Sequence, residues 1–255
     1  MSFVERLVVT DEAQQTILYD EHLIRYELVK SFVVNKVVLD IASGSGYGSE
    51  MMAQAGAKKV IGIDIDEQAI TEAQKRYGSN QIEFKVGTTI EGVEKLDIPD
   101  NSIEVIACFE TIEHIKDYKG FLQELARVLT AEGVAFISTP NRDVFGQKNP
   151  FHIKEFTKKE FIEELQQHFS FVSILEQKNG LASVISGSGE QKIVIQDQNS
   201  QALYFIAICS HREITEKIHS VASINVTALK RWENNKGWRL MNWLYSIGQR
   251  IGIVR

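Results

Sequence analysis

The chain carries only two cysteines in 255 residues, Cys108 and Cys209. Both lie inside apolar runs, EVIACFE and YFIAICS, where a buried structural thiol is expected rather than a metal ligand or a nucleophile. Long hydrophobic runs are missing too: no stretch approaches the roughly 18 to 20 apolar residues of a membrane-spanning helix. No basic-then-apolar leader opens the chain, and a cytoplasmic protein is expected. Positive charge is in deficit, with 28 Lys and Arg against 34 Asp and Glu and a net charge of -6. That balance argues against a surface built for nucleic acid, whose binding rests on Lys and Arg neutralising phosphates. Internal repeats are absent. What is present, 44% hydrophobic and 24% charged residues, suits one α/β domain with an appendage and excludes wholesale disorder.

From Lys36 onward, short β-branched runs alternate with segments of helical period, the pattern of a parallel sheet assembled from βαβ units. The runs are Lys36 to Ile41, Lys59 to Asp64, Ile82 to Val86, Ile103 to Phe109 and Val134 to Thr139. Each is nearly all apolar, as a strand covered on both faces requires. Helices are expected at Tyr47 to Ala55, Glu67 to Tyr77 and Asp117 to Leu129, with Gly133 turning the chain into the fifth strand. Thr157 to Phe169 opens as a capping box, Thr157 with Glu160 three residues on. Phe171 to Gln177 and Ala202 to Ser210 are strand candidates, separated by a Gly, Ser and Gln-rich segment that has room for a hairpin near Gln191 to Gln196 or a mobile loop. Asp20 to Phe32 reads as a helix placed before the first strand as a lid would be, and from Glu213 the pattern is helical to the end. The expected divisions are therefore 1–30, a helical lid; 31–211, the catalytic domain; and 212–255, a helical extension.

The most informative motif is V-L-D-I-A-S-G-S-G-Y-G at Val38 to Gly48, running off the first strand into the first helix. Gly44 and Gly46 allow a sharp turn and a close approach of backbone to ligand. Dinucleotide enzymes place G-x-G-x-x-G at the same point of a similar fold, but here Gly48 comes one residue too early for that spacing. Asp40, four residues before Gly44, would be awkward beside a pyrophosphate, whereas it can attract the ammonium of an amino-acid moiety directly or through water. Asp64, closing the second strand, is placed to accept both hydroxyls of an adenosine ribose. Either aspartate has a plainer alternative as a solvated strand-end carboxylate capping the next helix.

Residues 36 to 140, from this glycine motif through F-E-T-I-E-H (109 to 114) to S-T-P-N (138 to 141), resemble a class I S-adenosylmethionine-dependent methyltransferase. More narrowly, E-H-L-I-R-Y at 21 to 26 and N-P-F-H-I-K-E-F at 149 to 156 resemble a bacterial subgroup associated with sugar or cell-surface glycan modification. The resemblance implies a Rossmann-like fold with a mostly parallel seven-stranded sheet and helices on both faces. It implies S-adenosylmethionine as cofactor, with Ala42, Ser43, Gly44, Ser45 and Gly46 along the methionine portion, Asp64 and Ile65 at the ribose and adenine, and Phe109 and Glu110 closing the methionine side. The family commonly has an acidic residue after the third strand for the adenine amino group. This chain has Gly87, Thr88 and Thr89 there, so a threonine hydroxyl or the backbone has to serve. His22, Arg25 and Tyr26 on the lid either contact the cofactor or form a solvated helix face.

Methyl transfer from a sulfonium is an in-line displacement that consumes positive charge, which leaves the protein to align the acceptor and remove its proton. His114 and His152 follow carboxyl ends of strands, where ligands bind in open α/β sheets, and are the candidate bases, His114 ahead of His152. His168, His211 and His219 read as structural; Glu113 either orients His114 or is an exposed helix-entry residue, the second reading being preferred. No metal is expected, because an oxygen-ligand site needs several clustered groups and the Pro140 to Asp143 turn offers only Asn141 and Asp143. The expected activity is O-methylation of a sugar, glycan or other small-molecule hydroxyl. N-methylation of an amino sugar or small amine is the alternative within the class, and non-catalytic cofactor binding the alternative outside it. The basic, Trp-bearing segment from Leu229 to Arg255 is expected to form an amphipathic helix. It either packs on the domain or a second subunit, giving a homodimer, or lies peripherally at the inner membrane face.

Overall fold

The computed structural model describes residues 17–87, 96–146, 149–179, 182–185, 192–195 and 201–214. Residues 215–255, with His219 and nearly all of the expected helical extension, Thr88 and Thr89, and the first 16 residues lie outside them, so the expectations placed there are not addressed.

Five strands are parallel: β1 (Val37–Ile41), β2 (Lys59–Asp64), β3 (Ile82–Val86), β4 (Ile103–Cys108) and β5 (Leu129–Pro140). With β6 (Phe171–Gln177) and β9 (Tyr204–Ser210) they make one seven-stranded sheet in the order β3-β2-β1-β4-β5-β9-β6, in which β9 runs antiparallel to both its neighbours. This is the expected Rossmann-like architecture. Between β6 and β9 stands a separate hairpin, β7 (Ala182–Ile185) with β8 (Lys192–Ile195), inside the segment that left a hairpin or a loop open. At the start of β5 the register jumps from Leu129 to Val134 while β4 advances only from Ile103 to Val105. Residues 130–133 therefore loop out of the ladder at the turn expected for Gly133.

The helices are α1 (Ile17–Val29), α2 (Tyr47–Gln54), α3 (Glu67–Tyr77), α4 (Tyr118–Val128), the single turn α5 (Arg142–Phe145) and α6 (Lys158–Leu165). Their starts are chemically marked: the Asp66 carboxylate accepts from Ala69 N–H ahead of α3, Asp117 accepts from Gly120 N–H ahead of α4, and Thr157 and Glu160 close the capping box of α6. Each such cap satisfies an orphan helix donor and contributes about 1 kcal/mol. The last helix stops four residues short of the expected Phe169, whose ring is nonetheless buried.

Side chains alternate across the sheet and divide the core in two. Leu39, Ile41, Ile106, Cys108 and Ile137 pack with α4 and α6 residues such as Leu122, Leu125 and Phe161. Val38, Val60, Val105, Ala107 and Phe136 pack on the other face with Met52 of α2, Ala73 of α3, and Tyr26, Leu28 and Val29 of α1. The part of the expected lid that is described is thus built into the same core as the sheet. Both cysteines are buried in the first cluster, and burial pushes each thiol well above its ordinary range. The order reverses at β1, whose neighbours are β2 and β4, and in sheets of this kind the crevice beyond such a switch point takes the ligand.

Candidate active site

A cleft of about 1190 Å³ opens beyond the carboxyl ends of β1, β2, β4 and β5. Its floor is the glycine loop. The chain leaves β1 through Ala42 at φ 57, then Gly44 at φ 54 and Gly46 at φ 82. A left-handed alanine is a strained residue of the kind that accumulates at ligand sites. Gly46 is required for a second reason, since a Cβ there would stand 2.7 Å from the Phe84 ring and 2.8 Å from Ala73. The loop is braced by β2: Ser43 N–H donates to Ile63 O at 3.0 Å and Gly44 N–H to Asp64 Oδ2 at 2.8 Å. Asp64 Oδ1 accepts from Asp66 N–H at 2.9 Å. A carboxylate has about four acceptor positions, so Asp64, which lines the cleft, can organise the loop and still meet a ribose hydroxyl.

Asp40 is fully buried and does not line the cleft. It sits on the α1-facing side of β1, one turn of the pleat from Val38. Its Oδ1 accepts from Tyr26 Oη at 3.1 Å and its Oδ2 from Ser49 Oγ at 2.6 Å. Burial pushes its carboxyl up to about 7 against those two hydrogen bonds, and the Asp64 charge adds to the rise. Gly48 supplies the physical reason for the third glycine: a Cβ there would fall 2.0 Å from the Tyr26 ring. That glycine lets Tyr26 lie against the start of α2, reach Asp40, and present its ring edge-on to Phe109 at 5.1 Å, both rings lining the cleft.

Arg25 is the bulkiest of the fully buried side chains. Its Nε donates to Gln177 Oε1 at 2.8 Å, its guanidinium lies 4.4 Å over the Tyr204 ring, and its Nη1 is 3.6 Å from Glu110 Oε1. Neither Nη atom has a hydrogen-bond acceptor. Glu110, itself at φ 49, takes a hydrogen bond from Ser138 Oγ at 2.7 Å and donates its N–H to the same oxygen at 3.0 Å. His22, one turn before Arg25, lines the cleft, and desolvation with the nearby Arg25 charge lowers its imidazole to about 3. It is a neutral ring at any physiological pH.

The far end of the cleft belongs to two histidines. The rings of His114 and His152 meet edge-on with centroids 4.8 Å apart. His114 Nδ1 lies 3.0 Å from Phe151 O, which can only accept. His152 Nδ1 lies 2.6 Å from Glu155 Oε1, and its Nε2 lies 3.0 Å from the amide nitrogen of Asn149, which can only donate. In the neutral ring this pattern puts the proton on Nδ1 of both and the lone pair on Nε2. Glu155 is completely buried. Glu113 is also completely buried and lines the cleft; its Oε2 accepts a long bond from Thr139 Oγ1 at 3.3 Å, and its Oε1 has no partner. Burial raises its carboxyl well above the ordinary range, and the Glu110 charge adds to that. The backbone binds the two segments together, since Ile153 and Lys154 both donate N–H to Glu113 O, at 2.8 and 3.1 Å.

Of the residues singled out from the sequence, Tyr26, Ala42, Ser43, Gly44, Ser45, Asp64, Ile65, Gly87, Phe109, Glu110, His114 and His152 all line this one cleft. Arg25, Asp40 and Gly46 stand behind it and shape it. Sequence reasoning missed Tyr204, a strand residue whose Oη donates to Glu21 at 3.0 Å. It also missed Glu155, for which the H-x-x-E spacing was the available signal, and the approach of Glu113 to His152; Glu113, expected as an exposed helix-entry residue, is instead completely buried, with its carboxylate close to both histidines.

The arrangement fits S-adenosylmethionine on its own terms. Buried polar atoms without a hydrogen-bond partner lie in the loop, the hydroxyls of Ser43 and Ser45, and behind the cleft, both Nη atoms of Arg25. Such groups cost about 1 to 3 kcal/mol each when left unsatisfied, and a carboxylate with an ammonium group supplies the matching partners. Asp64 and Ile65, which the sequence assigned to the ribose and adenine, both line the cleft, and Ile65, 42% exposed, offers an apolar face at its wall.

Comparison with known proteins agrees. Residues 39–137 match the family model described as "Methyltransferase domain". A "Probable S-adenosylmethionine-dependent methyltransferase" of Mycolicibacterium smegmatis is 33% identical over 159 residues, covering 60% of this chain and 59% of that protein. A "Ubiquinone biosynthesis O-methyltransferase" of Hydrogenovibrio crunogenus is 32% identical over 123 residues, covering 47% and 50%. The chain thus spans about half to three fifths of the length of these relatives. The crystal structure of the YcgJ protein from Bacillus subtilis superposes with a TM-score of 0.54 at 17% identity, covering 74% of this chain and 99% of that one, a likeness of fold. The glycine loop and parallel sheet thus have the Rossmann-like fold of S-adenosylmethionine-dependent methyltransferases, and residues 39–137 are similar to their methyltransferase domain.

Proposed function

We propose that the protein is an O-methyltransferase acting on a hydroxyl of a sugar, glycan or other small molecule. The observation that carries this reading is the pair His114 and His152 facing the same cleft as the glycine loop. An oxygen acceptor, unlike a neutral amine or thiolate, needs its proton removed as the bond forms, and these are the basic groups at that end.

When bound, S-adenosylmethionine supplies an electrophilic methyl group on a sulfonium. The rest is the work of the chain. Arg25, Ser43 and Ser45 would hold the amino-acid end, Asp64 the ribose, and Tyr26 with Phe109 would enclose the methionine side and exclude water. Pro140, Phe145, Phe151 and Ile153 give the acceptor end apolar walls, which suit the carbon face of a ring better than a highly charged acceptor. The acceptor hydroxyl would donate to an imidazole Nε2, and His152 would keep its orientation through Glu155 as it takes up the proton.

The test is release of S-adenosylhomocysteine across a panel of neutral sugars, nucleotide sugars, phenols and amino sugars, with mass spectrometry to locate the methyl group. Methylation at oxygen is the expected result. Methylation at nitrogen alone, or no turnover from a protein that binds the cofactor, would overturn the assignment.

A further inference from the structure

We propose that Glu113, His114 and His152 form a binding site for one divalent transition-metal cation at the acceptor end of the cleft. One ligand atom from each of the three lies within 4.8 Å of the others. Around an ion with bonds near 2.1 Å, neighbouring ligand atoms are roughly 3 to 3.5 Å apart, so small side-chain rotations close the set. Two imidazoles and one carboxylate match the preferences of zinc, manganese, iron or cobalt better than those of calcium or magnesium, which take oxygen ligands.

Three further observations point to an ion rather than to a chance meeting of side chains. Both rings are oriented from behind, His114 by Phe151 O at 3.0 Å and His152 by the Glu155 carboxylate at 2.6 Å. A carbonyl or carboxylate on the far nitrogen is the usual support of a metal-bound histidine. Glu113 is fully buried with Oε1 unpartnered while lining the cleft. A carboxylate withdrawn from water with one oxygen unsatisfied is costly, and an adjacent cation removes that cost. Finally, the two segments that carry the ligands are tied together before any ion arrives, by Ile153 and Lys154 N–H donating to Glu113 O. The present donor to His152 Nε2 is the Asn149 amide, at 3.0 Å. That weak electropositive group would yield its place to the ion.

Cation binding stands independently of the O-methyltransferase reading; the ion's role in turnover rests on it. In that role both imidazoles hold the ion instead of taking the proton, the remaining coordination positions would face the cleft, and a hydroxyl bound there would ionise more readily, as metal-bound water does. The O–H proton would leave to solvent, the oxygen lone pair would form the new C–O bond, and the C–S bond would break with its electrons passing to sulfur.

The experiment titrates Co²⁺ into chelator-treated full-length protein, following its visible absorption and the heat of binding. Wild type should bind one equivalent. Glu113→Gln, His114→Ala and His152→Ala should each weaken binding by tenfold or more, with circular dichroism and cofactor affinity unchanged. His168→Ala, remote from the cluster, should not. Absence of one-equivalent binding, or equal binding by the cluster variants and wild type, overturns the site. Because Glu113 is buried and its variant could misfold, the two histidine variants decide the matter if it does. In the turnover assay, loss of O-methylation on chelation with recovery on Mn²⁺ or Co²⁺ supports the ion's catalytic part, and full activity without metal overturns that part alone. A protein that binds Co²⁺ at these residues but methylates no hydroxyl keeps the site and overturns the O-methyltransferase reading instead.

Discussion

Arg25 on α1 stands 3.6 Å from Glu110 in the loop after β4, so the N-terminal helix reaches into the same site as the loops of the sheet. The guanidinium is fixed from two other sides by Gln177 and Tyr204, yet both Nη atoms lack a hydrogen-bond acceptor. With Arg25 proposed to hold the cofactor's amino-acid end, Arg25→Met is expected to raise the dissociation constant for S-adenosylmethionine by about ten- to a hundredfold, or ~1.5 to 3 kcal/mol for hydrogen bonds to a charged group. Isothermal titration measures this, with circular dichroism as the control for folding. An unchanged constant in a folded variant would make Arg25 a structural tie between α1 and the sheet.

Gly48 and Tyr26 form a second such pair. A methyl group at Gly48 would overlap the tyrosine ring, at 2.0 Å from its nearest carbon, and this ring is buried and cannot simply swing into solvent. Gly48→Ala is therefore expected to destabilise the fold by about 1 to 3 kcal/mol, the usual cost of overpacking, and to weaken cofactor binding by dislodging Tyr26 from the cleft wall. Combined with Tyr26→Ala, the loss should be less than the sum of the two single losses, because the clash disappears with the ring. Thermal midpoints of the single and double variants decide this; additive losses would mean the two residues do not interfere.

Much of this was legible in the sequence, and the pattern of what was not is physical. Strands such as Lys59–Asp64 and Ile82–Val86 fall where the apolar β-branched runs put them, because burial on both faces leaves a local mark. The capping box at Thr157 is likewise a contact between residues three apart. The contacts that shape the site join distant segments. Nothing near Gly48 announces that its missing side chain makes room for a ring on α1, and the meeting of Glu113 with His152 depends on the backbone bonds from Ile153 and Lys154. Asp40 shows a subtler case. Strand alternation places it on an inward face, where it accepts from Tyr26 and Ser49 instead of opening onto the cleft.

That burial has a consequence for stability. Asp40 is raised from an ordinary carboxyl value to about 7 in the folded protein. Between the unfolded value and about 7 the folded state holds more protons than the unfolded one, so stability falls as pH rises through this window. The contribution is full below about pH 4, where both states are protonated, and is lost above about 7. Asp40→Asn removes the titration. The midpoint of the variant minus that of the wild type, both free of cofactor, is expected to become more positive from pH 4 to pH 8. A difference that stays flat across that range would show that Asp40 is ionised in the fold throughout.

The last prediction concerns Glu155, which lies three residues after His152, is completely buried, and holds Nδ1 of that ring at 2.6 Å. A buried carboxylate in this position fixes the tautomer and stabilises the ring whether its Nε2 takes a proton or binds a metal ion. Glu155→Gln can keep a hydrogen bond to Nδ1 but loses the charge, so the ring remains in place with a less basic Nε2. Turnover on a hydroxyl acceptor should drop by about 10- to 100-fold, mainly in kcat, with cofactor affinity and KM nearly unchanged. His152→Ala should cost more, about 10² to 10⁴. The rate profile of Glu155→Gln should also shift along the pH axis relative to wild type, which loss of packing alone would not produce. A fall confined to KM, or an equal loss of thermal stability and activity with an unshifted profile, would reduce Glu155 to a structural residue beneath the site.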